Sequence, residues 1–328
     1  MKKTILLCIL LKTLTVAQPI ELHIEIPRDT SFTVYYTFIK ERKKYPFIRI
    51  AAPQLPEGII VEENIIYTSY DHRDLHLDIY YPNNSQDTQY PGIILVHGGG
   101  WRSGSRSHQI PMAQQLASKG LVTAPVEYRL SLEAKYPAAV YDLKAALRWM
   151  RANASKYRID TSRIAILGCS AGGQLAALVG NTNGLDKFEG NRKISGVSSH
   201  VQAIIDIDGL LDFSSEESRK YEDDPKKNPT AAGAWFGGSF KEKSDLWIEA
   251  SPIYYVNKNS PPILFLNSAH DRFHTGRDEM IEKLKSFNID YDVQTIPDTP
   301  HPFWLFHPWF EPTVEIVSNF LDQVFKNN

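Results

Sequence analysis

Short apolar runs alternate with longer segments of helical spacing from residue 90 onward. Each run is continuous, which is typical of a strand buried on both faces. The predicted strands are residues 92–96, 121–126, 163–167, 203–207, 262–266 and 291–295. The predicted helices are residues 108–119, 136–157, 174–179, 277–286 and 313–325. Strands that alternate with helices predict an α/β fold with a mostly parallel central sheet and helices on both faces.

The pattern changes in two further places. Alternation with period two at residues 20–26 and in part of 31–38 predicts strands. We therefore expect residues 19–64 to form a small β-rich extension before the main domain at 65–328. Residues 210–250 are polar and break the alternation of strands and helices. We interpret them as an insertion over the carboxyl edge of the sheet, where open α/β folds keep their ligand sites.

Residues 1–18 have the pattern of a secretory signal peptide. Lys2 and Lys3 precede an apolar run at residues 5–11, and small residues stand before a cleavage site after Ala17. The run is too short for a membrane anchor, because spanning takes about 20 apolar residues. We therefore expect a secreted or periplasmic protein without stable membrane insertion.

Composition narrows the range of functions. Lys and Arg number 36 against 38 Asp and Glu, for a net charge of −2. The basic surface that nucleic-acid binding requires is therefore not expected. Two cysteines exclude a disulfide-stapled scaffold. The sequence contains no metal-ligand cluster, phosphate-binding loop or dinucleotide fingerprint, so we expect no metal and no cofactor.

The segment Gly168-Cys169-Ser170-Ala171-Gly172 lies between a predicted strand and a predicted helix. In that context a Gly-x-Ser-x-Gly segment predicts a nucleophile elbow, a tight turn that presents the serine hydroxyl to a substrate. The glycines are required because the strand and the helix nearly collide at such a turn. The sequence therefore predicts Ser170 as the nucleophile, whereas the side chain of Cys169 is expected to point into the fold.

The segment from His97 to Trp101 follows the strand at 92–96 and contains three consecutive glycines. A tetrahedral ester intermediate carries an oxyanion, which is stabilised by N–H groups aimed at one point. Glycines allow the backbone to aim those groups without an obstructing side chain. We predict that the N–H groups of Gly99, Gly100 and Ala171 form the oxyanion hole, and that His97 is structural.

The general base and the acid are expected after the last two strands, if the chain order is Ser, acid, His. His301 follows the strand at 291–295 and is the predicted base. Asp271 follows the strand at 262–266 and is the predicted acid, with Asp208 and Asp278 as rivals.

Residues His97–Trp101, Gly168–Gly172, Asp271 and His301 together resemble an α/β-hydrolase esterase with an HGGGW oxyanion loop. The resemblance covers about residues 65–325 and is to the acetyl and feruloyl esterases that act on plant polysaccharides. The loops after Asp271 and His301 are also similar to those of bacterial pectin esterases. The resemblance implies an α/β-hydrolase fold and a serine esterase that acts on a polysaccharide or oligosaccharide ester.

Four further residues are candidates for binding the substrate. Trp101 and Trp304 have aromatic faces that can stack on sugar rings, although core packing is an alternative for both. Arg272 and His274 follow the predicted acid, and a guanidinium suits the carboxylate of a uronic acid. Exposure to solvent without a ligand is the alternative for this pair.

The functional hypothesis is an exported serine esterase that removes acetyl, methyl or feruloyl groups from a plant cell-wall polysaccharide. Acetyl removal is the first choice and pectin methyl-ester hydrolysis is the second. An amidase or peptidase with the same triad is a further alternative, as is an inactive hydrolase fold that is kept for binding.

Overall fold

A computed structural model describes residues 29–71, 73–83, 88–190, 194, 196–227 and 229–326. The predicted signal peptide at 1–18 and the predicted strand at 20–26 lie outside the described residues. Within the described ranges, no helix combines the length and the apolar character that crossing a bilayer requires.

Eight strands form the central sheet, in the order β2-β3-β5-β4-β6-β7-β8-β9. Their bounds are β2 Ile59–Tyr70, β3 Arg73–Pro82, β4 Tyr90–Val96, β5 Val122–Val126, β6 Ile159–Cys169, β7 Ala203–Ile207, β8 Ile263–Asn267 and β9 Tyr291–Thr295. Strand β3 is antiparallel to both of its neighbours, and the other neighbouring pairs are parallel. The predicted mostly parallel sheet is confirmed.

Helices cover both faces of this sheet. Their bounds are α1 Val34–Glu41, α2 Ile110–Ser118, α3 Ala138–Ala152, α4 Ala154–Tyr157, α5 Ala171–Asn181, α6 Glu216–Glu222, α7 Ala231–Phe236, α8 Phe240–Glu249, α9 Arg277–Ser286 and α10 Phe310–Lys326. Neighbouring residues on a strand point to opposite faces. Ile94 therefore belongs to the apolar layer that includes residues of α3, α5 and α9, and Leu95 belongs to the layer that includes residues of α2 and α10. The sheet therefore lies between two hydrophobic layers.

The segment before the main sheet differs from its sequence-based prediction. The strand predicted within residues 31–38 is wrong, because α1 occupies Val34–Glu41. Thr33 caps this helix by accepting a 3.1 Å hydrogen bond from the Tyr36 N–H, which stabilises the first turn. The predicted boundary between residues 64 and 65 falls inside β2, which belongs to the main sheet.

Residues 29–51, here called the N-terminal arm, pack against the main domain of the same chain. Strand β1, Arg49–Ile50, pairs antiparallel with strand β10, Phe306–His307. The Tyr45 ring contacts the Trp309 ring edge-on, with 5.3 Å between the centroids. The arm thus reaches the segment that follows the last strand of the sheet.

Residues 210–250 contain three helices, α6, α7 and α8. Trp235 on α7 stacks on Trp101, with ring centroids 5.0 Å apart. Because Trp101 belongs to the loop after β4, this contact places the segment beside the carboxyl edge of the sheet.

Candidate active site

Ser170 stands between β6 and α5 in a conformation that few residues other than glycine adopt, with φ 57° and ψ −121°. The turn is held by a 2.7 Å hydrogen bond from the Ser170 N–H to the Ile207 carbonyl. A Cβ on Gly168 would lie 1.8 Å from the Gly172 oxygen, and one on Gly172 would lie 2.3 Å from the Val96 oxygen. The turn therefore requires both glycines, as expected for a nucleophile elbow.

The structure brings His301 to Ser170, although the two residues are far apart in the sequence. Nε2 of His301 lies 2.8 Å from Oγ of Ser170. Nδ1 of the same ring lies 2.8 Å from Oδ2 of Asp208. A carboxylate can only accept, so Nδ1 donates to Asp208, and Nε2 is left to accept the proton of the Ser170 hydroxyl.

Asp208 corrects the prediction that Asp271 contacts His301. Asp208 directly follows β7 and has a fully buried side chain, whereas the side chain of Asp271 is 99% exposed. Asp271 begins a short 3-10 turn that lies beyond the end of β8. The other rival, Asp278, pairs with Arg277 at 2.8 Å in an exposed position. Of the three carboxylates, the structure therefore brings Asp208 to the imidazole.

The second oxygen of Asp208 is held by the loop after β8. Its Oδ1 accepts a 2.7 Å hydrogen bond from the Ser268 N–H. His274 lies behind the same oxygen, with Nε2 at 3.9 Å from Oδ1 and at 3.1 Å from the Ser268 carbonyl oxygen. The carboxylate is thus fixed on both sides, which orients the oxygen that faces His301.

Two aromatic rings enclose the His301 imidazole. Phe273 stacks on it with 3.5 Å between the centroids and 9° between the planes. Trp304 meets the imidazole edge-on at 5.3 Å. Burial lowers the pKa of His301 because the imidazolium is disfavoured away from water, and the hydrogen bond to Asp208 opposes this shift. The neutral imidazole that can accept a proton is therefore favoured. No pattern in the sequence identified Phe273.

The glycine loop after β4 lies beside Ser170. Gly99 and Gly100 have φ values of +127° and +58°, which side chains rarely permit. In the described part of the chain, neither of their N–H groups donates to a main-chain carbonyl. Both are therefore available to an added acceptor, together with the N–H of Ala171 in the first turn of α5.

His97, at the start of this loop, has the environment of a structural residue. Its ring stacks on Tyr128 with 4.4 Å between the centroids, and burial lowers the pKa of His97 to about 3.

A cavity of about 150 Å³ opens beside Ser170. The residues that line it come from the glycine loop, the elbow, the segment after β7, the insertion and the loop after β8. They are Gly100, Trp101, Ser170, Ala171, Asp208, Leu210, Glu222, Ala231, Arg272 and Phe273. Nonpolar side chains and backbone form most of this wall, and Glu222 and Arg272 are its two charged residues apart from Asp208.

The four predicted substrate-binding residues occupy different environments. Trp101 lines the cavity, but it is 5% exposed and donates to Gln174 at 2.8 Å. Arg272 lines the cavity and pairs with Glu222 at 3.3 Å, so its charge already has a partner.

The other two predicted residues lie outside the cavity lining: His274 is beside Asp208, and Trp304 is beside His301. Their positions therefore do not support the prediction that these two residues bind the substrate.

Two buried ionisable groups lie close to the elbow. Burial raises the pKa of the Cys169 thiol, which keeps it protonated, as expected for a side chain that points into the fold. Burial also raises the pKa of Asp206 to about 8. Among the described residues, no group of three or more His, Cys, Asp or Glu side chains converges as a metal site does.

The chain matches one known family and is similar in sequence to known esterases. The BD-FAE family model matches residues 77–278. Esterase LipC of Mycobacterium tuberculosis is 28% identical over 260 residues, which cover 76% of this chain and 62% of LipC. Carboxylesterase NlhH of the same organism is 37% identical over 126 residues, which cover 38% of this chain and 39% of NlhH. The chain thus spans less than two thirds of the length of these relatives.

Solved structures resemble the chain over most of its length. A bifunctional GH43-CE protein of Bacteroides eggerthii is 29% identical with a TM-score of 0.69, covering 80% of this chain and 38% of that one. A truncated carbohydrate esterase from gut microbiota is 26% identical with a TM-score of 0.65, covering 82% and 98%. The propionate-bound esterase Est2 of Thermogutta terrifontis is 25% identical with a TM-score of 0.66, covering 82% and 96%. The predicted α/β-hydrolase fold is confirmed.

Proposed function

Because the chain belongs to the BD-FAE family, we propose that the protein is a serine carboxylic ester hydrolase with Ser170 as its nucleophile. One observation carries this proposal: His301 lies 2.8 Å from both the Ser170 hydroxyl and the Asp208 carboxylate. That arrangement has the geometry and the hydrogen-bond polarity expected of a Ser-His-Asp triad, which supports the proposal.

The reaction follows from these contacts. Oγ of Ser170 attacks the ester carbonyl carbon while its proton passes to Nε2 of His301. The carbonyl oxygen becomes an oxyanion and accepts hydrogen bonds from the N–H groups of Gly99, Gly100 and Ala171. Asp208 holds the imidazole in the reactive tautomer and stabilises its cation.

The intermediate then collapses, and the bond to the alcohol breaks. The departing alkoxide takes the proton from Nε2 of His301, which leaves an acyl group on Ser170. Water repeats the sequence: it gives a proton to His301, attacks the acyl carbon, and releases the carboxylic acid as Ser170 regains its proton.

The size of the cavity supports a short acyl group. A cavity of about 150 Å³ can hold a molecule the size of benzene, and the open cavity beside Ser170 has about this volume. An acetyl group fits it, whereas a feruloyl group adds a propenoyl chain and ring substituents to a benzene ring. In a pectin methyl ester the acyl side is itself a sugar ring within a polymer. Acetyl removal is therefore the proposed reaction, ahead of feruloyl and methyl-ester hydrolysis.

The proposed alcohol component is a plant cell-wall polysaccharide or an oligosaccharide derived from it. One similar structure, the truncated gut-microbiota enzyme, is described as a carbohydrate esterase. The proposal includes export directed by residues 1–18, which rests on the lysine head and apolar run of that segment.

Product release from three polymers tests the proposal. Purified enzyme is incubated with acetylated xylan, native pectin and feruloylated arabinoxylan, and acetate, methanol and ferulate are measured. We expect acetate to be released fastest, and no acetate release above background from Ser170→Ala. Faster release of methanol or ferulate would overturn the choice of acyl group. Equal activity of Ser170→Ala would overturn the mechanism.

A further inference from the structure

The N-terminal arm contacts the glycine loop through the partly buried carboxylate of Asp29. Oδ2 of Asp29 accepts a 2.6 Å hydrogen bond from Nε of Arg102, and the Asp29 side chain is only 11% exposed. The backbone of Asp29 also forms a parallel β-bridge with Ser103. The arm therefore contacts Arg102 and Ser103, the two residues that directly follow the predicted oxyanion loop.

Arg102 and Ser103 in turn hold the Gly99 carbonyl. The Gly99 oxygen accepts hydrogen bonds from the Arg102 N–H at 3.3 Å and from the Ser103 N–H at 3.0 Å. The Gly99 carbonyl and the Gly100 N–H belong to the same planar peptide unit and point in opposite directions. Fixing the carbonyl on one side therefore aims the Gly100 N–H on the other side.

The far end of the arm holds the segment after His301. Ile50 pairs with Phe306, and the Ala51 N–H donates to the Leu305 carbonyl at 2.9 Å. Phe38 of α1 also contacts Phe306, with 6.2 Å between the ring centroids. One segment thus contacts both the loop with the predicted oxyanion donors and the loop with the base.

We propose that Asp29 is a positioning residue for the Gly100 N–H. We also propose that the arm fixes the position of the oxyanion loop relative to the His301 loop. This inference rests on the proposed esterase function. The arm touches neither Ser170 nor the cavity that is lined by Trp101 and Leu210, so it acts through the loops. Its effect should be largest in the transition state, where the oxyanion forms.

Asp160 provides a closely matched control. Asp29 accepts from the Ser31 N–H at 2.8 Å and from Nε of Arg102 at 2.6 Å. Asp160 accepts from the Ser162 N–H at 2.9 Å and from Nε of Arg163 at 2.7 Å. Asp160 stands near the start of β6, at the opposite end of that strand from Ser170. The two aspartates thus accept the same types of hydrogen bond, but only Asp29 contacts the segment that follows the oxyanion loop.

The experiment compares Asp29→Asn, Arg102→Gln and Asp160→Asn with the parent enzyme on 4-nitrophenyl acetate. Removing a whole oxyanion donor costs about 10²–10³ in kcat, so we expect misalignment in Asp29→Asn to lower kcat about tenfold, with KM changed by less than about twofold. Inhibition by a trifluoromethyl ketone, whose adduct carries an oxyanion, should weaken by the same factor. A double variant that combines Asp29→Asn with Arg102→Gln should lose little more kcat than either of these single variants, because both substitutions break the same contact.

Asp160→Asn should keep the parental kcat and inhibitor affinity. An unchanged kcat in Asp29→Asn would overturn the inference. So would equal losses in Asp29→Asn and Asp160→Asn, which would show a general effect on stability. If the parent enzyme hydrolyses no short ester, the proposed function itself fails and the positioning role fails with it. Parental activity without a specific Asp29 effect removes the positioning role alone.

Discussion

The carboxylate of Asp208 accepts a 2.8 Å hydrogen bond from Nδ1 of His301. The order of the strands favours Asp271 instead, but His274 lies between the two carboxylates. Nε2 of His274 is 3.9 Å from Oδ1 of Asp208, and Nδ1 of His274 is 3.7 Å from Oδ1 of Asp271. The two aspartates follow neighbouring strands, β7 and β8. The acid of the proposed triad therefore comes from the strand nearer to the Ser170 strand.

Substituting the two aspartates separately tests this assignment. Asp208→Asn should lower kcat by about 10³–10⁴-fold, because an amide does not hold the imidazole in the reactive tautomer. Asp271→Asn should stay within about twofold of the parent, since an exposed carboxylate contributes little. Both are measured as kcat on 4-nitrophenyl acetate. A larger loss in Asp271→Asn than in Asp208→Asn would contradict the assignment.

The pH dependence of kcat/KM reports the ionisation of His301. The imidazole must be neutral to accept the Ser170 proton, so activity falls as the pH falls through its pKa. Burial holds this pKa below the ordinary value of 6.5, so the acid limb should have its midpoint below pH 6.5. A midpoint at or above that value would contradict the structure.

Removing the ring of Phe273 should shift that limb. The ring covers the imidazole at 3.5 Å, and Phe273→Ala would admit water and make the imidazolium less costly. We expect the midpoint to rise toward pH 6.5. Phe287→Ala is the control, because Phe287 is 42% exposed at the end of α9. Equal midpoints in Phe273→Ala and the parent would show that the stack does not set the pKa.

We predict that Leu210 limits the length of the acyl group that the cavity accepts. It lines the cavity and is 8% exposed. Each methylene in a hydrophobic pocket changes discrimination by roughly tenfold or more, so the parent should prefer acetate to hexanoate. Leu210→Ala should raise the hexanoate-to-acetate ratio of kcat/KM by about tenfold. Leu132→Ala, at a residue that is 47% exposed, should leave it unchanged. A parental preference for hexanoate would contradict this account.

The buried carboxyl of Asp206 makes stability depend on pH. Its pKa is about 8 in the folded protein, against an ordinary value of 3.8. The folded state therefore binds the proton more tightly, and this contribution to stability is lost as the pH rises from about 4 to about 8. Asp206→Asn cannot ionise, and its Oδ1 can still accept from the Gly209 N–H.

Thermal unfolding of both proteins measures this effect. The Tm of Asp206→Asn, relative to the parent, should rise by about 2 °C or more between about pH 5 and pH 8. Asp245→Asn, at an exposed position, should show no such trend. A constant difference between Asp206→Asn and the parent would show that Asp206 is already ionised in the folded state.

Much of the site was predictable because its signals are local. Ser170 is marked by glycines that the turn requires, since a Cβ on Gly168 would lie 1.8 Å from the Gly172 oxygen. His301 follows the last strand, and the carboxyl ends of parallel strands meet at one edge. These features depend on near neighbours in the sequence, so the pattern of residues contains them.

The acid and the arm depended on tertiary contacts that the pattern does not contain. Asp208 and Asp271 both follow strands at the same edge, and the direction of each side chain decides between them. The Ser268 N–H directs Asp208 inward at 2.7 Å, while the turn at Asp271 leaves its side chain 99% exposed. Residues 31–38 alternate as a strand would, yet the Thr33 cap begins a helix there.

Covalent labelling shows directly whether Ser170 is the nucleophile. The parent, Ser170→Ala and Asp208→Asn proteins are each incubated with a fluorophosphonate, and the adducts are located by intact mass and peptide mapping. We expect a single adduct on Ser170 in the parent, none in Ser170→Ala, and slow labelling in Asp208→Asn. An unlabelled parent protein, or an adduct on a residue other than Ser170, would contradict this expectation.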